Sequence, residues 1–263
     1  MISHKDQYNI HDENAVMEIV LQSVVGGRED QQDSSGYELK DEEGIVVLCD
    51  GMGGHEGGKA ASTIAVEYFL NGYSEAYPCE NPHALLVDLA NESDTKIASL
   101  KKSDGTPMKA GSTIVSIFIR NDELYWLSVG DSRVYILRGE EFVQVTTDHI
   151  YRKVLEVQRE NEEISEEEFA EELGKGEALV SFLGRNGLPY IDANDVTFKT
   201  MPGDKIILMS DGLYKLVSDE SIQTILQNFG NIEEAIQALE LKAQKNGKNV
   251  NRDNTTIVII RIK

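Results

Sequence analysis

The chain has 263 residues, with 46 Asp and Glu against 25 Lys and Arg, a formal net charge of −21 and 27% charged residues. That balance excludes a protein built to grip a phosphate backbone, which needs clustered Lys and Arg, while the length suffices for a sizeable core without covalent staples. Two cysteines, Cys49 and Cys79, and five scattered histidines exclude a disulfide framework and the usual zinc spacings, so any bound metal is expected to have oxygen ligands.

The polar, mixed-charge N-terminus is no secretory signal, and no apolar stretch approaches the ~20 residues of a membrane span. A soluble cytoplasmic protein with neither membrane nor nucleic-acid partners is expected. Residues 16–25 and 44–49 read as strands. Residues 59–77 and 81–101 have helical spacing, with Ile64, Phe69 and Tyr73 in the first and Leu85, Leu89 and Ile97 in the second. Short apolar runs at 112–119, 123–129, 133–137 and 142–145 predict a meander of antiparallel hairpins. From 152 to about 183 the pattern turns helical and acidic, with nine glutamates between Glu156 and Glu172. Strands return at 196–199 and 205–209, helices at 219–228 and 232–246, and a strand at 255–262 closes the chain. No repeat or low-complexity linker divides it. The order predicts an α+β fold with strands in the middle and helix pairs outside.

Two places break the apolar pattern in the same way. "IVVLCDGMGGHEGGKAAS" (residues 45–62) drives an apolar strand into Asp50 and a glycine-rich stretch, and a helix comes next. "KIILMSDG" (residues 205–212) drives another into Asp211, 161 residues later. A hairpin turn fits neither, because helical segments succeed both. Asp131, in "WLSVGDSRVYIL", is followed at once by a strand and reads as a hairpin turn. Asp253, in "NRDNTTIVII", precedes the last strand. Asp50, Asp211 and Asp253 thus stand at strand ends that neighbouring strands can bring together. Carboxylates that close repel unless they are protonated or neutralised by cations. Mg²⁺ or Mn²⁺ suits carboxylates, carbonyls and water, and glycine lets backbone approach such a site closely. "GGREDQQD" (residues 26–33) adds Arg28, whose guanidinium fork matches a phosphate, and Asp33, a turn residue or another acid facing a metal through water.

The set "RxxxxD … DGMGG … GST … VGDSR … SDG … DN", in order from about Arg28 to the C-terminus, resembles the metal-dependent serine/threonine protein phosphatases of type 2C, particularly their bacterial branch. The resemblance implies a four-layer αββα sandwich with central antiparallel sheets, a single phosphatase domain over 1–263, and a flap insertion at about 150–188. It also implies a centre of two Mn²⁺ or Mg²⁺ ions. Asp50 would bridge both ions and the Gly51 carbonyl would hold one. Asp211 and Asp253 would complete the other, and Asp33 would hold metal-bound water. Arg28 would grip the phosphate, and Asn254 would help fix Asp253. In such a centre a metal-bridging hydroxide attacks phosphorus directly and releases phosphate from serine or threonine. The implied partners are phosphorylated proteins, with a cognate serine/threonine kinase and its targets as the natural set.

Several positions depart from the family pattern. Met52 stands where many members have a proton-donating histidine; His55 nearby is expected to serve at the surface or as a cap. Met108 stands where bacterial relatives have a third-metal aspartate, Asp104 lies four residues early, and Lys215 replaces an acid of some relatives, so a third metal is expected to be weak or absent. "VSFLG" (residues 180–184) replaces a "TRALG"-like segment. The alternative is a pseudophosphatase or phosphoprotein-binding module of the same fold; an acidic scaffold and a hydrolase of small phosphate esters are further rivals. The negative field favours basic surroundings of the phosphoresidue.

Overall fold

A computed structural model describes residues 7–263 of the chain; residues 1–6 and the side chains of Gln7 and His55 lie outside the described set. In chain order the elements are β1 (Gln7–Glu13), β2 (Met17–Val24), β3 (Asp33–Leu39), β4 (Glu43–Met52), α1 (His55–Ala76), α2 (Pro82–Ala98), β5 (Gly111–Ser112) and β6 (Ile114–Arg120). Then come β7 (Glu123–Val129), β8 (Arg133–Arg138), β9 (Glu141–Gln144), α3 (Tyr151–Glu160), α4 (Glu166–Glu172), β10 (Asp192–Ala193) and β11 (Phe198–Lys199). The chain ends with β12 (Lys205–Met209), α5 (Asp211–Tyr214), α6 (Asp219–Asn228), α7 (Ile232–Asn246) and β13 (Thr255–Ile262).

The strands form two antiparallel sheets. One has the order β1-β2-β13-β12-β8-β9; the other runs β10-β7-β6-β4-β3, with β5 added beside β4 and β11 beside β7. Side chains alternate across each central strand, and this sorts the core into three layers. On β4, Ile45, Val47 and Cys49 face α1 and α2, whereas Val46 and Leu48 face the other sheet. On β12, Ile206 and Leu208 enter the layer between the sheets, and Ile207 and Met209 pack under α6 and α7. Both faces of these strands are covered, so they read as continuous apolar runs. The result is the expected αββα order. Helix starts are set locally: the Asn81 side chain accepts from the Ala84 N–H with Pro82 in the first turn, and Ser165 with Glu168 forms a capping box.

Two expectations need correction. The strands at 123–129 and 133–137 are not a hairpin: β7 and β8 belong to different sheets, and residues 130–132 carry the chain from one to the other. The acidic helical run stops short as well. It gives only α3, α4 and one short 3-10 turn, because Gly174, Gly176, Gly184, Gly187 and Pro189 punctuate the chain beyond α4. Among the described residues no helix is long and apolar enough to cross a membrane.

Candidate active site

Strand pairing gathers the acids. β12 and β13 are antiparallel neighbours, with Met209 opposite Ile257, so Asp211 just past the end of one and Asp253 just before the other share an end of the first sheet. In the second sheet Asp33 stands directly opposite Asp50 in the β3–β4 pair. These two ends meet around a cleft of about 500 Å³, walled in part by Arg28, Asp50, Gly51, Asp131, Asp211 and Asp253. Asp33 is absent from the wall; it lies behind it, 4% exposed. β4 does not stop at Asp50 as its sequence suggests, because Gly51 and Met52 continue the strand by pairing with Ser112 and Gly111 of β5. The glycines there answer to packing. A Cβ on Gly51 would lie 2.2 Å from the Gly58 carbonyl oxygen, so the first turn of α1 rests on the end of β4 only if neither residue has a side chain.

The cluster is held by a few specific bonds. Arg28 Nη2 donates to Asp253 Oδ2 at 2.6 Å, and Lys215 Nζ donates to Asp211 Oδ2 at 2.6 Å. Ser210 Oγ donates to Asp33 Oδ2 at 2.9 Å. Tyr214 Oη donates to Asp131 Oδ2 at 3.1 Å. Asn254 bears on Asp253 through its backbone, and its side chain has a second task. Its backbone N–H, 2.9 Å from Asp253 Oδ1, contacts the carboxylate, while its side chain donates to the Val25 and Asp30 carbonyls and accepts from the Gln32 N–H. That side chain therefore staples the loop carrying Arg28.

Asp33, Asp50, Asp131, Asp211 and Asp253 share this region with Glu29, Asp30 and Glu177, against two side-chain cations on the cleft wall, Arg28 and Lys215. Burial, then the charges of Asp33, Asp211, Asp131 and Asp253, push the Asp50 carboxyl well above the usual carboxylate range. Burial first, then Asp211 and Asp253, push Asp33 up to about 7. Burial and Asp211 push Asp131 up to about 6, against opposing effects of Lys215 and the Tyr214 hydroxyl. Asp33 Oδ1 and Asp211 Oδ1 are buried with no hydrogen-bond partner among the described residues. Excess negative charge, oxygen-only donors and partnerless carboxylate oxygens fit hard divalent cations. Among the described residues no three His, Cys, Asp or Glu side chains already stand as a cation cage; the Arg28 and Lys215 ion pairs hold Asp253 and Asp211 instead.

Asp131 is part of the cleft wall and not the hairpin-turn residue that its neighbours in sequence indicate. The signal that finds it is topological: residues 130–132 cross between sheets, so the acid falls at their shared end. Lys215, in sequence only a departure from the family pattern, is set over Asp211 by one helical turn. Met52 lines the cleft, as do Glu177 and Leu179 from the segment after α4. Asp104 lies away from it, its carboxylate accepting from the Thr106 N–H and hydroxyl.

The sequence model of the family described as protein phosphatase 2C matches residues 26–245. The serine/threonine phosphatase stp of Listeria innocua is 30% identical over 237 residues, covering 89% of this chain and 90% of that protein. The structure of the S. agalactiae serine/threonine phosphatase superposes with a TM-score of 0.76 at 26% identity, covering 94% of this chain and all of that one. The catalytic domain of the serine/threonine protein phosphatase PstP, in complex with two manganese ions, superposes with a TM-score of 0.73 at 26% identity, covering 94% and 98% of the two chains.

Proposed function

Since the chain belongs to the protein phosphatase 2C family, we propose that this protein serine/threonine phosphatase hydrolyses phosphoserine and phosphothreonine on proteins at the Asp50–Asp211–Asp253 cleft, with two Mn²⁺ or Mg²⁺ ions. The observation that carries the reading is the meeting of acids from both sheets at one cleft with Arg28 on its wall. Asp50 and the Gly51 carbonyl on one sheet, and Asp211 and Asp253 on the other, are the groups that would hold the ions. Asp33 lies behind Asp50 and would act through water. When bound, such cations neutralise the carboxylates and make a water acidic enough to supply a nucleophile near neutral pH.

The remaining roles belong to the chain itself. Arg28, half exposed on the cleft wall, leaves Asp253 for a phosphate that enters, and its fork stabilises charge on the phosphoryl oxygens. Asn254 keeps its loop in place. Met52 donates no proton, so the leaving serine or threonine oxygen takes one from solvent. Cys49 and Cys79 are free, buried thiols; they fit a reducing compartment such as the cytoplasm and supply no nucleophile to the cleft. The segment around 150–188 serves as a flap of one domain, and its Glu177 on the cleft wall favours phosphoproteins with basic residues beside the phosphate, a cognate serine/threonine kinase among them.

The test is phosphate release from phosphothreonine peptides flanked by lysines or by glutamates, with Mn²⁺, Mg²⁺ or EDTA, for wild type and Asp211→Asn. Metal-dependent turnover that collapses in the variant, and is faster on the basic peptide at low salt, is expected. Folded protein without turnover under any metal would favour the phosphate-binding pseudoenzyme, and equal rates on both peptides would remove the substrate preference alone.

A further inference from the structure

We propose that the Lys215 ammonium is a resident cation of the carboxylate cluster: it holds the flank between Asp211 and Asp131, so that divalent ions bind only on the side of Asp50 and Asp253. The inference rests on the two-metal reading above and concerns which part of the cluster is left for metal.

Four observations converge. First, α5 is a single turn from Asp211 to Tyr214, with Lys215 as its C-cap. The i, i+4 spacing sets the ammonium over the carboxylate, at 2.6 Å from Oδ2. Second, Lys215 is part of the cleft wall and not directed away from it, and the charges acting on it come from Asp211, Asp131 and Asp50. Third, the two oxygens of Asp211 are divided. Oδ2 is taken by the ammonium, whereas Oδ1 is buried with no partner among the described residues. Fourth, Asp131 is served from the same turn: the Tyr214 hydroxyl donates to its Oδ2 at 3.1 Å. Tyr214 is itself held by Arg133, whose guanidinium lies 3.8 Å from the ring centroid and is bonded to Asp148. Consecutive residues Tyr214 and Lys215 thus close one flank of the cluster with protein groups. A divalent ion in the same place would meet a like charge at short range, which repels it.

An ordinary exposed i, i+4 ion pair contributes little, and Lys215 is 49% exposed on its side chain. The two readings differ in what they predict for metal binding. Mn²⁺ uptake by metal-free protein can be counted by equilibrium dialysis with elemental analysis, and free Mn²⁺ followed by EPR. Wild type and Lys215→Arg, which keeps the charge, are expected to take about two ions. Lys215→Met is expected to tighten the last step at least about fivefold or to gain an ion, and Lys215→Asp to take about three. Asp131→Asn in the Lys215→Met background should abolish that gain, which separates local charge from a general loosening of the fold. Equal stoichiometry in all variants, with dissociation constants within about twofold, would overturn the proposal while leaving the two-metal reading intact. No uptake by folded wild type would sink both.

Discussion

Asp33 gives a direct measure of what burial and neighbouring charge together cost a carboxylate in this fold. It is 4% exposed, its Oδ1 has no partner among the described residues, and burial with Asp211 and Asp253 pushes it up to about 7. An exposed aspartate titrates near 3.9. In metal-free protein the folded state therefore keeps a proton that the unfolded chain releases. Stability is fullest below about pH 4 and is lost as pH rises towards about 7. From pH 5 to pH 8 the loss is about 3 kcal/mol, the share of the shift that falls in that interval. Asp33→Asn keeps the shape and removes the charge, so the variant should lack this slope. Urea unfolding in EDTA at pH 5 and pH 8 reads both proteins. Asp131, pushed up to about 6, adds a slope of the same sign to each. His149, whose pKa burial lowers, costs stability on the acid side in each, so both effects cancel in the difference. Saturating Mn²⁺ at about 100 times its dissociation constant should return about 2.7 kcal/mol to wild type, and less to the variant. A pH slope equal in the two proteins to within about 0.5 kcal/mol, or steeper in the variant, would refute the reasoning.

Two further substitutions test how the cleft is framed. The buried Asp94 carboxylate accepts from the backbone N–H groups of Gly184, Asn186 and Gly187, so Asp94→Ala should cost about 3 kcal/mol in urea unfolding, with Asp94→Asn costing less; a loss under about 1 kcal/mol would mean that this loop rehydrates freely. At Gly212 a Cβ would lie 2.0 Å from the Asn254 carbonyl oxygen, so Gly212→Ala should cost about 3 kcal/mol or more and weaken Mn²⁺ binding by separating Asp211 from Asp253; unchanged melting and Mn²⁺ titration would contradict that contact.

The elements legible in the sequence are those whose burial alternates or is continuous. β7, β12, β13, α6 and α7 fall at the residues their patterns indicate. β1 and β3 give no such signal. "QYNIHDE" and "DSSGYEL" are largely polar edge strands of their sheets; β3 packs through Ser34 and Ser35, which bond Ser62 and Tyr8, and Tyr37 is its one large side chain buried between the sheets. The site divides along the same line. Asp50 and Asp211 are legible because an apolar run meets a bare acid, which is a local contradiction. Asp131 carries no such contradiction, since Gly-Asp between two strands suits a hairpin, and only the assignment of β7 and β8 to opposite sheets makes it a crossover.

That division has a physical consequence. The three apolar layers are laid down by alternation in the central strands, and they fix which strand ends meet. Once β4 lies against β12 and β13 across the sandwich, Asp33, Asp50, Asp211 and Asp253 must share a small volume whatever their charges cost. Relaxing the repulsion would require shifting a strand register, and a one-residue slip would exchange side chains between the layer inside the sandwich and the layer under the helices, breaking the packing of both. The core therefore resists the carboxylates' tendency to separate. The repulsion is left to be met by protons, by Arg28 and Lys215, or by divalent cations, and the stability of the fold and the occupancy of the cleft are coupled through the same four strands.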